Sequence, residues 1–505
     1  MLRRSFLIVL VIAGHAQAGG SPDMTPTPGP HAVGLRVVQQ YDYSRVLEAP
    51  VDAFGKAGDV GPGRPIQTLV WYPAKRTGAA PMQVADYFQA SLSGLDFTVP
   101  AADTAKQRAG WMSSPQKALF GAATLAVRDA QAVGGKFPVV IYAPGYAGLA
   151  HENLDLCEYL ASHGYVVIAS RSLGARSAMM SVDIDGIEAQ ASDIAFLANY
   201  AQTLPQADIA NMAAAGYSWG GMANIFAAAR TGRFKALVSL DGSIRYNPKI
   251  WSAATYVRPS RTAVPLMFLG ARMPTAEIME RDDKLGPSYI NTMKYSDVYV
   301  TTAPPMTHRD FTSTALRSLP DAAFGDYRRA EVLQAYRSGL LYSRQFLDAY
   351  LKSDAKALAF LKDSPAKHGI GPQVMSMEFH PATSTLAGEG DFLRAFAKAD
   401  YRDAQAIHTR IAAQSPDFKL NARDLNTRGY QLLRGNNARG AVELFKLATF
   451  IEPNFANAFD SEGEAHEALG DTALAIAAYQ KAVALDKNQV NAIVRIKALQ
   501  SGAPK

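Results

Sequence analysis

The sequence predicts an α/β fold: a mostly parallel eight-stranded sheet with helices on both faces, followed by an all-α helical-repeat domain. Three observations carry the prediction. Between Phe137 and Thr302, short apolar runs are bounded by turn residues and separated mostly by segments of helical length. That is the pattern of parallel strands buried on both faces. One of the runs ends in Gly216-Tyr217-Ser218-Trp219-Gly220, a strand, a sharp turn and a helix start. Beyond Gly390 the pattern turns purely helical and repeats at an offset of 34 residues, as from Ala441 to Ala475.

The elements follow in chain order. Arg3 and Arg4, the apolar stretch Phe6 to Ala13 and Ala16-Gln17-Ala18 have the three parts of an export signal. The apolar stretch is too short for a permanent span, and no cysteine follows the cleavage site to take a lipid. The mature chain is therefore expected in the periplasm or outside the cell, cut near Ala18. Residues 19–34, rich in Pro, Gly and Thr, are expected to be disordered.

Leu35 to Tyr43 and Ile66 to Tyr72 are the first two strands, with a Gly/Pro-rich loop from Pro50 to Pro65 between them. Residues 79–135 hold helical fragments and no clear strand, so they are expected to be an insertion over one face. The parallel core is Phe137 to Ala143, Tyr165 to Ser170, Ile209 to Tyr217, Lys235 to Leu240, Val264 to Gly270 and Asp297 to Thr302. Helices are expected at Asn153 to His163, Ile187 to Leu204, Met222 to Arg230 and Tyr327 to Leu351. This first domain spans residues 35–365, and Gly, Pro, Ser and Thr mark a linker over 366–390. The helical domain follows over 391–500.

Composition bounds the function classes. At 505 residues with 48% hydrophobic and 19% charged, the chain can bury more than one core. The net charge of +6 is dispersed, with no basic block, so no nucleic-acid partner is expected. The single cysteine, Cys157, permits no intramolecular disulfide. It reads as a small buried hydrophobe.

The Gly-x-Ser-x-Gly turn has a chemical rationale. A serine on a strained turn presents its hydroxyl clear of the backbone, and Gly216 and Gly220 leave room where a Cβ would clash. The helix beginning at Trp219 aims its first N–H groups where an oxyanion would form. The bland alternative is a helix-start serine.

A nucleophilic serine needs a base and an acid. His308, in Met306-Thr307-His308-Arg309-Asp310-Phe311, lies just past the last strand on a loop and is the best base. His15 falls in the signal, His31 in the disordered start, His163 beside an early helix, His368 and His380 in the linker, and His408 and His466 in the repeats. His151 is the second candidate. For the acid, spacing leaves two places: Glu277, Asp282 or Asp283 after the seventh strand, or Asp241 at the end of the sixth.

In the C-terminal region Gly429, Ala441, Phe445 and Ala448 recur as Gly463, Ala475, Tyr479 and Ala482, and Pro453 closes the first copy. Small residues where two helices cross, with an aromatic between, resemble the tetratricopeptide repeat. The copies are 422–455 and 456–489, with Leu425 and Phe459 at the usual tryptophan position and Lys487 in place of the second proline. About three copies make a stable stack, so 391–413 and 489–500 are expected to supply neighbours. The resemblance implies a protein partner.

Gly-Tyr-Ser-Trp-Gly-Gly, then Leu240-Asp241-Gly242, then His308-Arg-Asp-Phe-Thr resemble the platelet-activating-factor acetylhydrolase and dienelactone-hydrolase-like branch of the α/β-hydrolases, over about Phe137 to Thr312. Eight strands with the serine turn after the fifth is that fold's layout. Dienelactone hydrolases use cysteine, so the acetylhydrolase side fits better. The resemblance implies Ser218 as nucleophile, Asp241 as acid and His308 as base, with oxyanion N–H groups from Trp219 and Tyr146. Pro144 stands where the family usually has histidine, and Ser170-Arg171-Ser172 lacks the family's acidic residue. The implied activity is serine-dependent hydrolysis of short-chain or lipid-like esters, with no metal or organic cofactor. A serine peptidase or an acyltransferase would use the same triad. The non-enzymatic alternative is a repeat-based scaffold with a silent core.

Overall fold

A computed structural model describes residues 24–47, 55–56, 61–272 and 289–501. The expected export signal, His15 and the candidate acids Glu277, Asp282 and Asp283 lie outside the described residues. The chain divides into two compact units, with the boundary between Ala382 and Thr383.

The first unit is built on a ten-stranded sheet: β1 (Ala32–Asp42), β2 (Arg64–Ala74), β3 (Ala126–Arg128), β4 (Phe137–Ala143), β5 (Val166–Ser170), β6 (Ala207–Tyr217), β7 (Phe234–Leu240), β8 (Leu266–Ala271), β9 (Val298–Ala303) and β10 (Ser376–His380). Their spatial order is β10-β9-β8-β7-β6-β4-β5-β2-β1-β3. The six strands from β5 to β9 in that order run parallel. β2 runs antiparallel to both β5 and β1, and β10 runs antiparallel to β9.

The apolar runs are continuous because both faces are covered. Val140 and Tyr142 of β4 pack with helices Leu154–Ser162 and Arg329–Leu351. Val139 and Ile141 pack with helices Ile184–Tyr200 and Trp219–Thr231. Burying one such branched side chain contributes about 1.5–3 kcal/mol relative to exposing it, which is why alternation is absent from these strands. The eight expected strands are all present, and the fold is an α/β-hydrolase fold followed by an all-helical region.

Four expectations are corrected. The serine turn follows the sixth strand of ten, since two short strands were missed. β3 lies in the stretch read as a strandless insertion and pairs in parallel with β1; three residues are too few for a periodicity signal. β10 lies in the stretch read as a linker; it is mostly exposed, so its sequence Ser-Met-Glu-Phe-His carries no apolar pattern. Residues 24–34 are ordered: Met24 is buried, and Ser162 accepts from Gly29 N at 2.9 Å and from His31 N at 3.1 Å. The insertion's helices are Val84–Ser91, Ala101–Met112 and Lys117–Phe120. Cys157 is a buried free thiol whose pKa burial pushes up.

The second unit contains seven α-helices among the described residues. The segment expected at 391–413 is two helices, Glu389–Lys398 and Ala404–Gln414. The two sequence copies are helix pairs, Ala422–Arg434 with Ala438–Ile451 and Ala456–Ala468 with Thr472–Leu485. The repeated positions have a packing reason. A Cβ on Gly429 would collide with the ring of Phe445, and one on Gly463 would sit 2.6 Å from the ring of Tyr479. The last helix is Val490–Ser501. No helix of the described residues is long and apolar enough to cross a membrane.

Candidate active site

Ser218 sits between β6 and helix Trp219–Thr231 with φ +53° and ψ −116°. A non-glycine residue there is strained and persists only where its surroundings impose it. Ser218 N donates to Leu240 O at 3.0 Å, and its carbonyl accepts from Ser243 N at 2.8 Å and Gly221 N at 3.1 Å. The glycines on either side are required by close approach. A Cβ on Gly216 would lie 2.6 Å from the Gly220 carbonyl carbon, and one on Gly220 would collide with Ala143 O.

The sheet brings the other candidates to the same edge, at the carboxyl ends of the parallel strands, where this class of sheet binds ligands. Asp241 follows β7, buried, with φ +43°. Its Oδ1 accepts from Ala271 N and Tyr246 Oη, both at 3.1 Å, and its Oδ2 lies 2.6 Å from His308 Nδ1. His308 Nε2 lies 2.8 Å from Ser218 Oγ. The histidine opens a short 3-10 turn that Asp310 shapes by accepting from Thr307 N and Oγ1 at 2.7 Å. Its ring lies against Tyr217, 5.0 Å between centroids. Ser218, His308 and Asp241 thus form one continuous hydrogen-bonded line.

The loop after β4 lies beside the serine: a Cβ on Gly145 would be 3.6 Å from Ser218 Cβ. Pro144 O accepts from Gln190 Nε2 at 2.6 Å and Ser172 Oγ at 3.1 Å, and Gly145 N donates to Glu152 Oε1 at 2.8 Å. Tyr146 follows, its hydroxyl donating to Met180 O at 2.5 Å and its ring set edge-on to Trp219. Trp219 N is the first N–H of its helix, which no carbonyl within the helix can reach. The segment carrying Met180 is held at its base by the buried Arg64, which donates to Leu173 O and Gly174 O and pairs with Asp193 at 2.7 Å.

The second candidate base, His151, is elsewhere. It is fully buried against Phe88 and Tyr87, and burial pushes its pKa down to about 3. The sequence reading missed Glu152, Asn153, Gln190 and Arg64. Each is polar in an otherwise helical or strand pattern, and only three-dimensional burial distinguishes it from a surface residue.

Burial pushes the Glu152 carboxyl up from 4.5 to about 8, although Gly145 N and Tyr142 Oη donate to it. Its other titratable neighbours, Tyr142, Cys157 and Tyr217, are themselves pushed up. A folded chain that holds this proton while the unfolded chain releases it above pH 4.5 loses stability as pH rises from 4.5 toward 8. Glu152→Gln, which cannot ionise, is expected to gain stability relative to the parent across that window. The gain should be on the order of a few kcal/mol, read from denaturant melts at pH 5 and pH 9.

The chlorophyllase family profile matches residues 112–272, about a third of the chain. The matched stretch contains Ser218 and Asp241 and ends before His308. Among solved structures, a ferulic acid esterase from Streptomyces cinnamoneus is similar at 20% identity, covering 72% of this chain and 98% of that one, with a TM-score of 0.46. No curated protein sequence matches the chain.

Proposed function

We propose that this chain is an exported serine hydrolase that cleaves carboxylic esters through an acyl-enzyme. The observation that carries the reading is the line Ser218 Oγ–His308 Nε2–His308 Nδ1–Asp241 Oδ2, at 2.8 and 2.6 Å, with Ser218 on a positive-φ turn. His308 takes the serine proton as Ser218 Oγ attacks the ester carbonyl, then gives it to the leaving alkoxide. The Trp219 and Tyr146 N–H groups receive the oxyanion. Water, activated by the same histidine, releases the acid and restores the serine.

Two segments bound to each other at Tyr146 and Met180 carry exposed apolar side chains: Tyr146 is 44%, Met179 74% and Val182 64% exposed. This supports acyl esters of apolar character, short-chain or lipid-like. Arg3 and Arg4, the apolar stretch Phe6 to Ala13 and Ala16-Gln17-Ala18 support export. The helix-pair module is proposed as a tetratricopeptide-like surface for a protein partner. Ending the chain at Ala382 is expected to leave p-nitrophenyl acetate hydrolysis within about threefold of the parent, since the units have separate cores.

Intact mass after treatment with a fluorophosphonate tests the proposal. One adduct on the parent that is absent from Ser218→Ala supports it. No adduct on folded parent would overturn it in favour of a scaffold with a silent core.

A further inference from the structure

Two adjacent buried residues, outside the triad, join the loop beside the serine to the segment that carries the base. Glu152 Oε1 accepts from Gly145 N at 2.8 Å and from Tyr142 Oη at 2.9 Å. Asn153 Nδ2 donates to Tyr142 Oη at 3.1 Å and to Phe311 O at 2.7 Å. Asn153 Oδ1 accepts from Ser313 N at 3.1 Å and Tyr336 Oη at 2.8 Å. The Glu152 carbonyl closes the circuit by accepting from Thr314 N at 3.1 Å and Thr314 Oγ1 at 3.0 Å.

The arrangement is costly to build without a use. A buried carboxyl is disfavoured unless its bonds are satisfied, and an apolar side chain could fill the same space. What Glu152 supplies is an acceptor for one backbone N–H, that of Gly145, which stands immediately before Tyr146. Fixing that N–H fixes the Pro144–Gly145 peptide plane; the next plane, which carries the Tyr146 N–H, is pinned in turn by its own carbonyl, Gly145 O, accepting from Gly148 N at 2.9 Å. Asn153 meanwhile fixes the carbonyl of Phe311, at the end of the turn that begins with His308. An oxyanion donor displaced by an ångström loses much of its value, because its catalytic contribution lies in being pre-aimed.

We propose that Glu152 is a positioning residue for ester hydrolysis. It holds the Tyr146 N–H where the oxyanion forms, and through Asn153 the same buried dipeptide registers that donor against His308. The proposal rests on the functional reading above and adds to it a residue that touches neither substrate nor triad. The high pKa of the carboxyl accords with this, since an uncharged acceptor at Gly145 is sufficient.

The test compares Glu152→Ala with Glu152→Gln in the full chain, using p-nitrophenyl acetate and a trifluoromethyl ketone that forms a tetrahedral adduct on serine. Glu152→Ala is expected to lower kcat by about 10- to 100-fold with KM nearly unchanged, somewhat less than removal of a whole oxyanion donor. Its affinity for the ketone should fall in proportion to kcat, and Glu152→Gln, which keeps the acceptor, should recover most of both losses. If Glu152→Ala does not fold, Glu152→Leu, which fills the space without an acceptor, is measured by the same criteria. A folded Ala or Leu variant with parental kcat overturns the proposal. So does a loss of kcat without loss of ketone affinity, or a Gln variant no better than Ala. A folded parent without esterase activity overturns the functional reading and this proposal together; an active parent with an unaffected variant overturns this proposal alone.

Discussion

Ser218→Ala is expected to lower kcat for p-nitrophenyl acetate by at least about 10⁴-fold, because it removes the hydroxyl proposed to form the acyl-enzyme. The argument is local. Among the described residues, the hydroxyl of Ser218 is the one that lies within hydrogen-bond distance of His308 Nε2, at 2.8 Å. The strained backbone that presents it is held by bonds through Ser218 N and O, none of which uses the side chain. Alanine should therefore leave the turn intact, so circular dichroism and melting temperature should match the parent while turnover and fluorophosphonate labelling disappear. A folded variant that turns over ester at the parental rate would remove Ser218 from the chemistry.

Asp241→Asn is the next largest expected effect, a loss in kcat on the order of 10³- to 10⁴-fold. Its cause can be read from which oxygen does what. Oδ1 accepts from Ala271 N and Tyr246 Oη, both donors, so an asparagine would keep its carbonyl oxygen there. Its amide would then point at His308 Nδ1, in place of Oδ2. An N–H donor at that site forces Nδ1 to accept and puts the ring proton on Nε2. That nitrogen can no longer take the serine proton. KM should change little, and labelling by fluorophosphonate should slow in step with kcat. Unchanged kcat would mean that an acid other than Asp241 orients the histidine.

The parallel sheet was legible because burial on both faces leaves a mark that survives in one dimension: apolar runs without alternation, cut by turn residues. The three polar residues of the line were legible for a different reason. Each sits at the carboxyl end of a strand, next to a glycine or a loop, where a polar side chain needs an explanation. Spacing alone left Asp241 level with Glu277, Asp282 and Asp283, and resemblance separated them. The strands β3 and β10 were hidden because they are short and lie toward the sheet's edges, where pairing needs no apolar pattern. Ordering of residues 24–34 was hidden because it comes from Ser162, far along the chain. Glu152 was hidden for the most instructive reason. Its partner is a backbone N–H, which every residue but proline possesses, so sequence offers nothing to match it with.

The helix pairs of the second unit have a consequence for how that unit melts. Each pair meets its sequence neighbours, and the Gly429–Phe445 and Gly463–Tyr479 contacts recur within pairs. Such an array behaves as a row of coupled links, each joint with its own stability, in place of one all-or-none transition. The row ends in helix Val490–Ser501, whose Val490 and Val494 remain 69% and 55% exposed. Among the described residues of this unit, that helix packs on the preceding pair alone, so amide exchange should be fastest there and slow progressively toward Phe445. A single melting temperature would then describe the sheet of the first unit and average over a graded opening in the second.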